Sequence, residues 1–258
     1  MGRVIAIANQ KGGVGKTTTA INLSACLAEK GQKVLIVDLD PQGNTTAGFG
    51  VEKEELLYTV YELILDEGEM KQVLIKNVIE NLDMIPANGE LAGAEIDLIG
   101  VEEREYILKR HLDKIKDQYD FVIIDCPPSL SMLTVNAMTA ADTIIVTIQC
   151  EYLALEGLRD LLRSINRVKQ VLNPGLELEG AVFTMFDPRT NLSLQVVENV
   201  KANLKENIYK TIIPRNVRLA EAPSHGLPIT LYDTKSAGAE SYRLLAEEVI
   251  HRGEDEWL

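Results

Sequence analysis

Residues 9–18 of the chain read NQKGGVGKTT. The stretch follows an apolar run at residues 4–8 (VIAIA) and precedes a segment with apolar residues at helical spacing, so we expect a glycine-rich turn between a strand and a helix. Such a turn points successive backbone N–H groups at phosphate oxygens, and the helix N-terminus adds the positive end of its dipole. Lys16 would then reach the β and γ phosphates of a nucleotide, and the Thr17 hydroxyl would bind Mg²⁺. The predicted nucleotide-binding residues in this turn are Lys11, Gly12, Gly13, Val14, Gly15, Lys16, Thr17 and Thr18.

Short apolar runs of the same kind recur along the chain, and helix-like segments separate them. The predicted strands are residues 4–8, 34–37, 82–85, 121–124, 143–146 and 180–184, and the clearest helices are 17–30, 154–172 and 236–250. Continuous apolar strands are buried on both faces, which is typical of parallel sheets. The sequence therefore predicts an α/β fold, a mostly parallel sheet with helices on both faces.

Composition limits the class of protein. With 258 residues, 46% of them apolar, the chain can form one large core, so we expect a single P-loop domain over residues 1–258. No apolar stretch approaches the ~20 residues of a membrane helix, and a cytoplasmic protein is expected. The net charge of -13 disfavours a surface that binds polyanions everywhere, so any contact with nucleic acid needs a local basic patch. The charged run at residues 52–55 (EKEE) is most simply solvated surface.

Carboxylates follow two of the predicted strands. Asp38 and Asp40 end the strand at 34–37, and Asp125 ends the strand at 121–124. Ligands bind near the carboxyl ends of strands in open α/β sheets, so these residues are candidates for the nucleotide site. Each of them could instead cap the helix that follows it.

The glycine-rich turn departs from the general P-loop pattern G-x-x-x-x-G-K-[ST]. Gln10 stands where that pattern has its first glycine, and a second lysine, Lys11, follows. In this the sequence resembles the deviant Walker A ATPases, whose pattern K-G-G-x-G-K-[ST]-T is present at residues 11–18. The resemblance implies that Lys11 reaches across a homodimer to the partner's phosphates. A cation inserted in this way can contribute ~10³–10⁵ in rate.

Further blocks resemble the chromosomal ParA and Soj partition ATPases. They are VDLDPQGN (37–44), IPANGELAGAEI (85–96), IIDCPPSL (123–130), QCEYLALEGL (149–158) and IPRNVRLAEAPSHG (213–226). The resemblance implies ATP and Mg²⁺ as ligands, with Lys11, Lys16 and Asp40 catalytic. Asp40 would activate the attacking water, Asp38 and Asp125 would hold Mg²⁺ through its waters, and Thr18 would contact a phosphate. Since the phosphate loop begins within the first ten residues, we expect no separate N-terminal DNA-binding domain.

The same resemblance implies a function in chromosome or plasmid partitioning. The ATP-bound homodimer would bind double-stranded DNA without sequence preference on the nucleoid, and a ParB-type protein would stimulate a slow hydrolysis. A replication initiator stays open as a further partner. Residues 187–218 carry six basic residues, Arg189, Lys201, Lys205, Lys210, Arg215 and Arg218, against Asp187, Glu198 and Glu206. The resemblance assigns DNA contact to Arg189 and Arg218, whereas charge alone also fits a mixed surface.

Three residues are weaker candidates for nucleotide contact. Pro214 and Arg215 lie where this fold receives the adenine, and Glu151 would touch the nucleotide from the partner subunit. All three assignments come from the resemblance.

Three other classes of ATPase share the phosphate loop. A membrane-associated ATPase similar to MinD needs a basic amphipathic C-terminal helix, but this sequence ends HRGEDEWL, so no membrane partner is expected. A metallocluster carrier needs paired cysteines, and Cys126 has no second cysteine near it in sequence. A metabolic kinase would need an acceptor pocket and would have no use for Lys11.

Overall fold

The computed structural model describes residues 2–151, 154–204 and 207–255. Within these residues one sheet contains eight strands: β1 Arg3–Ala8, β2 Val34–Asp38, β3 Ile75–Ile79, β4 Leu82–Ile85, β5 Phe121–Asp125, β6 Thr143–Gln149, β7 Glu177–Phe186 and β8 Ile208–Pro214. The strand order is β3-β4-β2-β5-β1-β6-β7-β8. All neighbouring strands are parallel except β3 and β4, which pair antiparallel at one edge. The expected α/β fold is therefore confirmed.

Helices connect the strands and cover the sheet. Their bounds are α1 Lys16–Glu29, α2 Asn44–Gly48, α3 Val60–Ile64, α4 Met70–Val73, α5 Ala94–Asp97, α6 Ile107–Leu112, α7 Met132–Ala140, α8 Ala154–Val171, α9 Asn191–Leu204, α10 Val217–Glu221, α11 Ile229–Tyr232 and α12 Ala237–Asp255. None of the described helices combines the length and apolar character needed to span a bilayer.

Alternate residues of each central strand enter two separate cores. In β1, Val4 and Ala6 join the core under α3, α6, α7, α8 and α9, while Ile5 and Ile7 join the core under α1 and α12. Side chains of a strand alternate between the faces of a sheet, so a strand that is apolar at every position must be covered on both sides. The continuous apolar runs in the sequence follow from this.

Six of the eight strands lie where the sequence predicts them, and the two outermost strands were missed. β3 (IKNVI) and β8 (IYKTIIP) contain polar residues because edge strands face solvent. In β3, Lys76 and Asn77 are exposed. The helix α9 was also missed, and the segment around it was interpreted from its charges and from the family resemblance.

The sheet order sets the position of the candidate site. β5 lies between β1 and β2, and the parallel register places Asp125 of β5 beside both Ile7 of β1 and Asp38 of β2. The phosphate loop follows β1, so it meets the acidic ends of β2 and β5 at one edge of the sheet. The strand order also reverses at β1, since β2 lies on one side of β1 and β6 on the other. Ligands of open α/β sheets bind at such a point.

Candidate nucleotide site

The turn before α1 requires glycine at two positions. Gly13 and Gly15 have φ of +73° and +84°, a left-handed conformation that other residues rarely adopt. Gly15 is the N-cap of α1, so its conformation turns the backbone into the helix. Gly12 differs, because a Cβ there would meet only Pro128 Cβ, at 3.9 Å. Within one subunit, therefore, a side chain at Gly12 would have space.

Hydrogen bonds from two strands hold the turn in place. The Asn9 amide donates to the Thr147 carbonyl of β6 (2.7 Å), and its oxygen accepts from the Lys11 N–H (2.9 Å). On the other side, the Thr184 hydroxyl of β7 donates to the Val14 carbonyl (2.9 Å). Val14 itself is buried. Contacts within the chain thus shape the loop.

Lys16 is the buried cation of the loop. Its side chain donates to the Lys11 carbonyl (3.0 Å), and only 6% of the residue is exposed. Burial lowers the pKa of Lys16, while the nearby Asp125 opposes that change. Thr17 and Thr18 follow it in the first turn of α1 and are partly exposed. A phosphate would give this ammonium an acceptor other than its own loop.

Asp38 and Asp125 end neighbouring strands, in register and fully buried. Asp38 Oδ2 accepts from the Thr46 N–H (2.8 Å) and hydroxyl (2.7 Å), and Asp125 Oδ2 accepts from the Thr45 hydroxyl (2.7 Å). Thr45 and Thr46 open α2. They are functional-site residues that the sequence analysis missed, although two hydroxyls directly after VDLDPQGN were a usable signal.

The other Asp125 oxygen, Oδ1, is a buried acceptor without a hydrogen bond from the described residues. Burial, followed by the charge of Asp38, raises the pKa of Asp125, and the Thr45 and Thr17 hydroxyls partly offset this. The described residues contain no group of three or more His, Cys, Asp or Glu side chains arranged to hold a metal. The unpartnered Asp125 oxygen, together with the Asp38 carboxylate at the adjacent strand end, fits a Mg²⁺ ion that takes most of its ligands from phosphate and water.

Asp40 lies beside this pair and is nearly buried. Its N–H donates to Asp38 Oδ1 (3.2 Å), and its own Oδ1 accepts from the Gln42 N–H (3.0 Å). The three carboxylates predicted from strand ends are thus brought together. The alternative, that each merely caps a helix, does not describe Asp125, which bonds to the Thr45 side chain across the strands.

Lys11 and Glu151 form an ion pair within one chain. Lys11 Nζ lies 3.2 Å from Glu151 Oε2, and Gln149 Nε2 donates to Glu151 Oε1 at 2.6 Å. Both charged side chains are partly exposed, 39% for Lys11 and 51% for Glu151. In this arrangement each of the two residues predicted to act on a partner's nucleotide is bound to the other.

A cavity of about 530 Å³ opens beside the phosphate loop. Gly15 and Thr18 lie at one end of it, and Pro214 and Arg215 lie among its other lining residues. Thr184, Met185, Ile213, Asn216, Val217, Leu219, Ala220 and Tyr242 complete the lining. The weaker candidates Pro214 and Arg215 therefore face a space adjoining the phosphate loop that is of the right order for a base and sugar.

The basic segment carries less free charge than its sequence suggests. Arg189 makes a bidentate contact with Asp187 (2.9 and 2.7 Å), and Arg218 contacts Glu221 (2.8 Å) and Asp233 (3.4 Å). Glu221 and Asp233 lie outside residues 187–218, so a count along the chain missed them. Lys205 and Glu206 lie outside the described residues.

Comparisons with known proteins place these features in a wider group. An AAA domain family model matches residues 2–178. The sporulation initiation inhibitor protein Soj of Bacillus subtilis is 54% identical over 253 residues, covering 98% of this chain and 100% of that protein. The chromosome partitioning protein ParA of Myxococcus xanthus is 49% identical, covering 98% of this chain and 89% of that one. A Mycobacterium smegmatis crystal structure named cobyrinic acid a,c-diamide synthase, with bound ADP and magnesium, has a TM-score of 0.86 at 42% identity, covering 98% of this chain and 96% of that one.

The buried carboxylate pair predicts a pH-dependent stability. Asp125→Asn keeps an oxygen for Thr45 and removes a buried charge beside Asp38, so we expect it to raise the free energy of unfolding at pH 8 by roughly 1–3 kcal/mol. The folded pKa of Asp125, about 7, lies above the unfolded value of about 3.9. Wild-type stability is therefore lost as pH rises through this window, and the advantage of the variant should shrink towards pH 4.

Urea unfolding of both proteins at pH 5 and pH 8, in magnesium-free buffer, measures this difference. Asp117→Asn is the control, because Asp117 is exposed. A variant that is less stable than wild type at pH 8, or an advantage equal at both pH values, would contradict the prediction.

Proposed function

The chain belongs to the family of Soj and ParA chromosome-partitioning ATPases, and from this premise we propose that it hydrolyses ATP and binds DNA as an ATP-bound homodimer. It works as one P-loop ATPase domain over residues 1–258, in the cytoplasm on nucleoid DNA. Hydrolysis to ADP and phosphate is slow until a ParB-type protein stimulates it, and the cycle partitions a chromosome or plasmid.

One observation carries the proposed ATPase site. The buried Lys16 ammonium donates to the carbonyl of its own loop and lies in the same site as Asp125 Oδ1, a buried oxygen without a partner in the described residues. Mg²⁺ and a triphosphate would satisfy both groups at once. Lys16 would bind the β and γ phosphates, with Thr18 contacting a phosphate and the loop N–H groups enclosing them.

The chemistry follows from the three carboxylates. Thr17 would bind Mg²⁺ directly, and Asp38 and Asp125 would hold it through water molecules. Held there, Mg²⁺ would supply positive charge against the phosphate oxygens. Asp40, whose carboxylate is fixed by the Gln42 N–H, would orient the attacking water. Pro214 and Arg215 would contact the base in the adjoining cavity.

The homodimer rests on Lys11. This lysine is partly exposed and its ion pair with Glu151 is open to solvent, so releasing it costs no more than ~1 kcal/mol. A partner's triphosphate is a stronger acceptor than one exposed carboxylate. Glu151, freed in the same step, could then reach the partner's nucleotide. Gly12 is exposed beside Lys11, which leaves room for the partner's backbone.

DNA binding rests on Arg189 and Arg218. The two arginine side chains are exposed, 86% for Arg189 and 51% for Arg218, so DNA phosphates can reach them and replace the present carboxylate partners at small cost. Dimerisation would double the number of available cations, and several simultaneous phosphate contacts are what sequence-independent binding requires. DNA affinity would therefore depend on the nucleotide.

Two other activities of related proteins can be distinguished from this proposal by experiment. The Mycobacterium smegmatis structure is named for amide synthesis, which would make phosphate release depend on a carboxylic acid acceptor. The present proposal requires phosphate release with water as the only acceptor. A membrane-associated cycle similar to that of MinD would require sedimentation with anionic vesicles in ATP.

Lys16→Ala should weaken ATP binding by roughly 100-fold, because two phosphates lose a charge-assisted hydrogen bond. Titration with a fluorescent ATP analogue measures the affinity. Lys30→Ala serves as the control, since Lys30 lies at the far end of α1 and pairs with Glu247. Wild-type affinity in the Lys16 variant would mean that the nucleotide binds elsewhere.

Lys11→Ala should bind ATP with near wild-type affinity but fail to dimerise, since this lysine acts on the partner's nucleotide. We expect stimulated turnover to fall by ~10³-fold. Size exclusion with light scattering, with and without ATP, measures dimerisation, and Asp40→Ala supplies a trapped dimer as the positive control. An ATP-dependent Lys11→Ala dimer with normal turnover would disprove the action in trans.

Charge reversal at the two arginines tests DNA binding. In the Asp40→Ala background, Arg189→Glu with Arg218→Glu should nearly eliminate duplex binding, and wild-type arginines should give a log–log salt slope of ~0.9 per phosphate neutralised. The control is the double variant Arg110→Glu with Arg163→Glu, which changes the net charge by the same amount at solvent-accessible positions of α6 and α8. It should bind DNA normally. Fluorescence anisotropy with two unrelated duplexes measures both. An equal loss of DNA binding in the two double variants, or a strong preference for one duplex, would contradict the assignment of sequence-independent DNA contact to Arg189 and Arg218.

A further inference from the structure

The loop that carries Asp40 is held by a residue outside the phosphate site. Residues 40–43 (DPQG) connect β2 to α2, and two bonds inside the loop shape it. The Gln42 N–H donates to Asp40 Oδ1 (3.0 Å), and the Gly43 N–H donates to the Asp40 carbonyl (2.8 Å). The position of the Asp40 carboxylate therefore depends on where the backbone at Gln42 lies.

Lys53 contacts this backbone from the far side. Its Nζ donates to the Gln42 carbonyl at 2.8 Å. Its aliphatic part lies against Gly43, since a Cβ built on Gly43 would be 2.5 Å from Lys53 Cδ and 2.8 Å from the Ala87 carbonyl oxygen. Gly43 also has φ of +60°. The loop thus passes between the Lys53 side chain and residue 87, with no room for a side chain at Gly43.

Residue 87 is itself tied to the carboxylate pair. The Ala87 N–H donates to the Thr46 hydroxyl (2.9 Å), which in turn donates to Asp38 (2.7 Å). One wall of the loop is therefore fixed by the buried site, while the other wall is the single side chain of Lys53. The charged run at residues 52–55, expected to be only solvated surface, supplies that wall.

Lys53 is also accessible from solvent. It lines a cavity of about 530 Å³ together with Pro41, Gln42, Glu54, Asn88, Gly89 and Glu90. The residue is only partly buried, so replacing it does not disturb either core. This makes its contribution to the loop separable from folding.

We propose that Lys53 is a positioning residue: it clamps the loop at Gln42 and Gly43 and so aligns the Asp40 carboxylate for ATP hydrolysis. The inference rests on the proposed function, because it assigns Lys53 a part in the chemistry of Asp40. Lys53 touches neither the phosphate loop nor the cavity beside it, so it should influence the rate and leave nucleotide affinity unchanged. Misplacing a reacting group by about 1 Å can cost up to ~100-fold.

The test compares Lys53→Met, which keeps the aliphatic part and removes the donor, with Lys53→Arg, which keeps a donor. We expect Lys53→Met to lower stimulated kcat about tenfold, with KM for ATP, ATP-dependent dimerisation and Tm unchanged. Lys53→Arg should recover at least half of the lost rate. Lys71→Met is the control, since Lys71 is exposed and pairs with Glu69 on α4; its kcat should equal that of wild type.

Three results would overturn the inference. They are an unchanged kcat in Lys53→Met, a loss of rate matched by a rise in KM or a fall in Tm, and a failure of Lys53→Arg to recover the rate. Hydrogen exchange of the Gln42 and Gly43 amides separates this inference from the proposed function. If wild type hydrolyses no ATP, the proposed function fails. Faster exchange at these amides in Lys53→Met would still show that Lys53 clamps the loop. Unchanged exchange would refute the clamp.

Discussion

Two carboxylates in register at the ends of adjacent parallel strands are the constraint around which this site is built. Asp38 and Asp125 are both fully buried, and burial raises the pKa of each; at Asp125 the charge of Asp38 adds to the rise. The fold stabilises them with the hydroxyls of Thr45 and Thr46 but leaves Asp125 Oδ1 without a partner in the described residues. An arrangement that costs stability in the free chain persists when a ligand repays it, and a divalent cation with phosphate does so.

The same carboxylate pair connects the phosphate loop with the loop that carries Asp40. Thr46 joins Asp38 to residue 87, which forms one wall of the Asp40 loop. Asp125 raises the pKa of Lys16 against the effect of burial, so the lysine keeps more of its charge. A change of charge at the strand ends therefore affects both the phosphate loop and the loop that carries Asp40. This coupling requires no movement of the sheet.

What the sequence could predict depended on burial. Strands such as β1 and β5 are covered on both faces, so residues 4–8 and 121–124 are apolar without interruption and the pattern is unmistakable. β3 and β8 lie at the edges, where Lys76 and Lys210 can face solvent, and their patterns gave no signal. The phosphate loop was predictable because its glycines and lysines follow a local rule. The contacts of Thr45 with Asp125 and of Lys53 with Gln42 were not predictable, since they join segments through the tertiary fold.

Charged residues show most clearly why counting along the sequence does not predict a charged surface. Counting residues 187–218 gave a basic surface, but Arg218 meets Glu221 and Asp233 from beyond that segment, and Arg189 folds back on Asp187. Lys11 is likewise held by Glu151, 140 residues away. In each case a cation with a proposed external partner already has a carboxylate partner on its own chain, while the cation itself stays partly or largely exposed. Ion pairs open to solvent are weak, so such a carboxylate orients the cation and, in the proposed complexes, would yield to a phosphate.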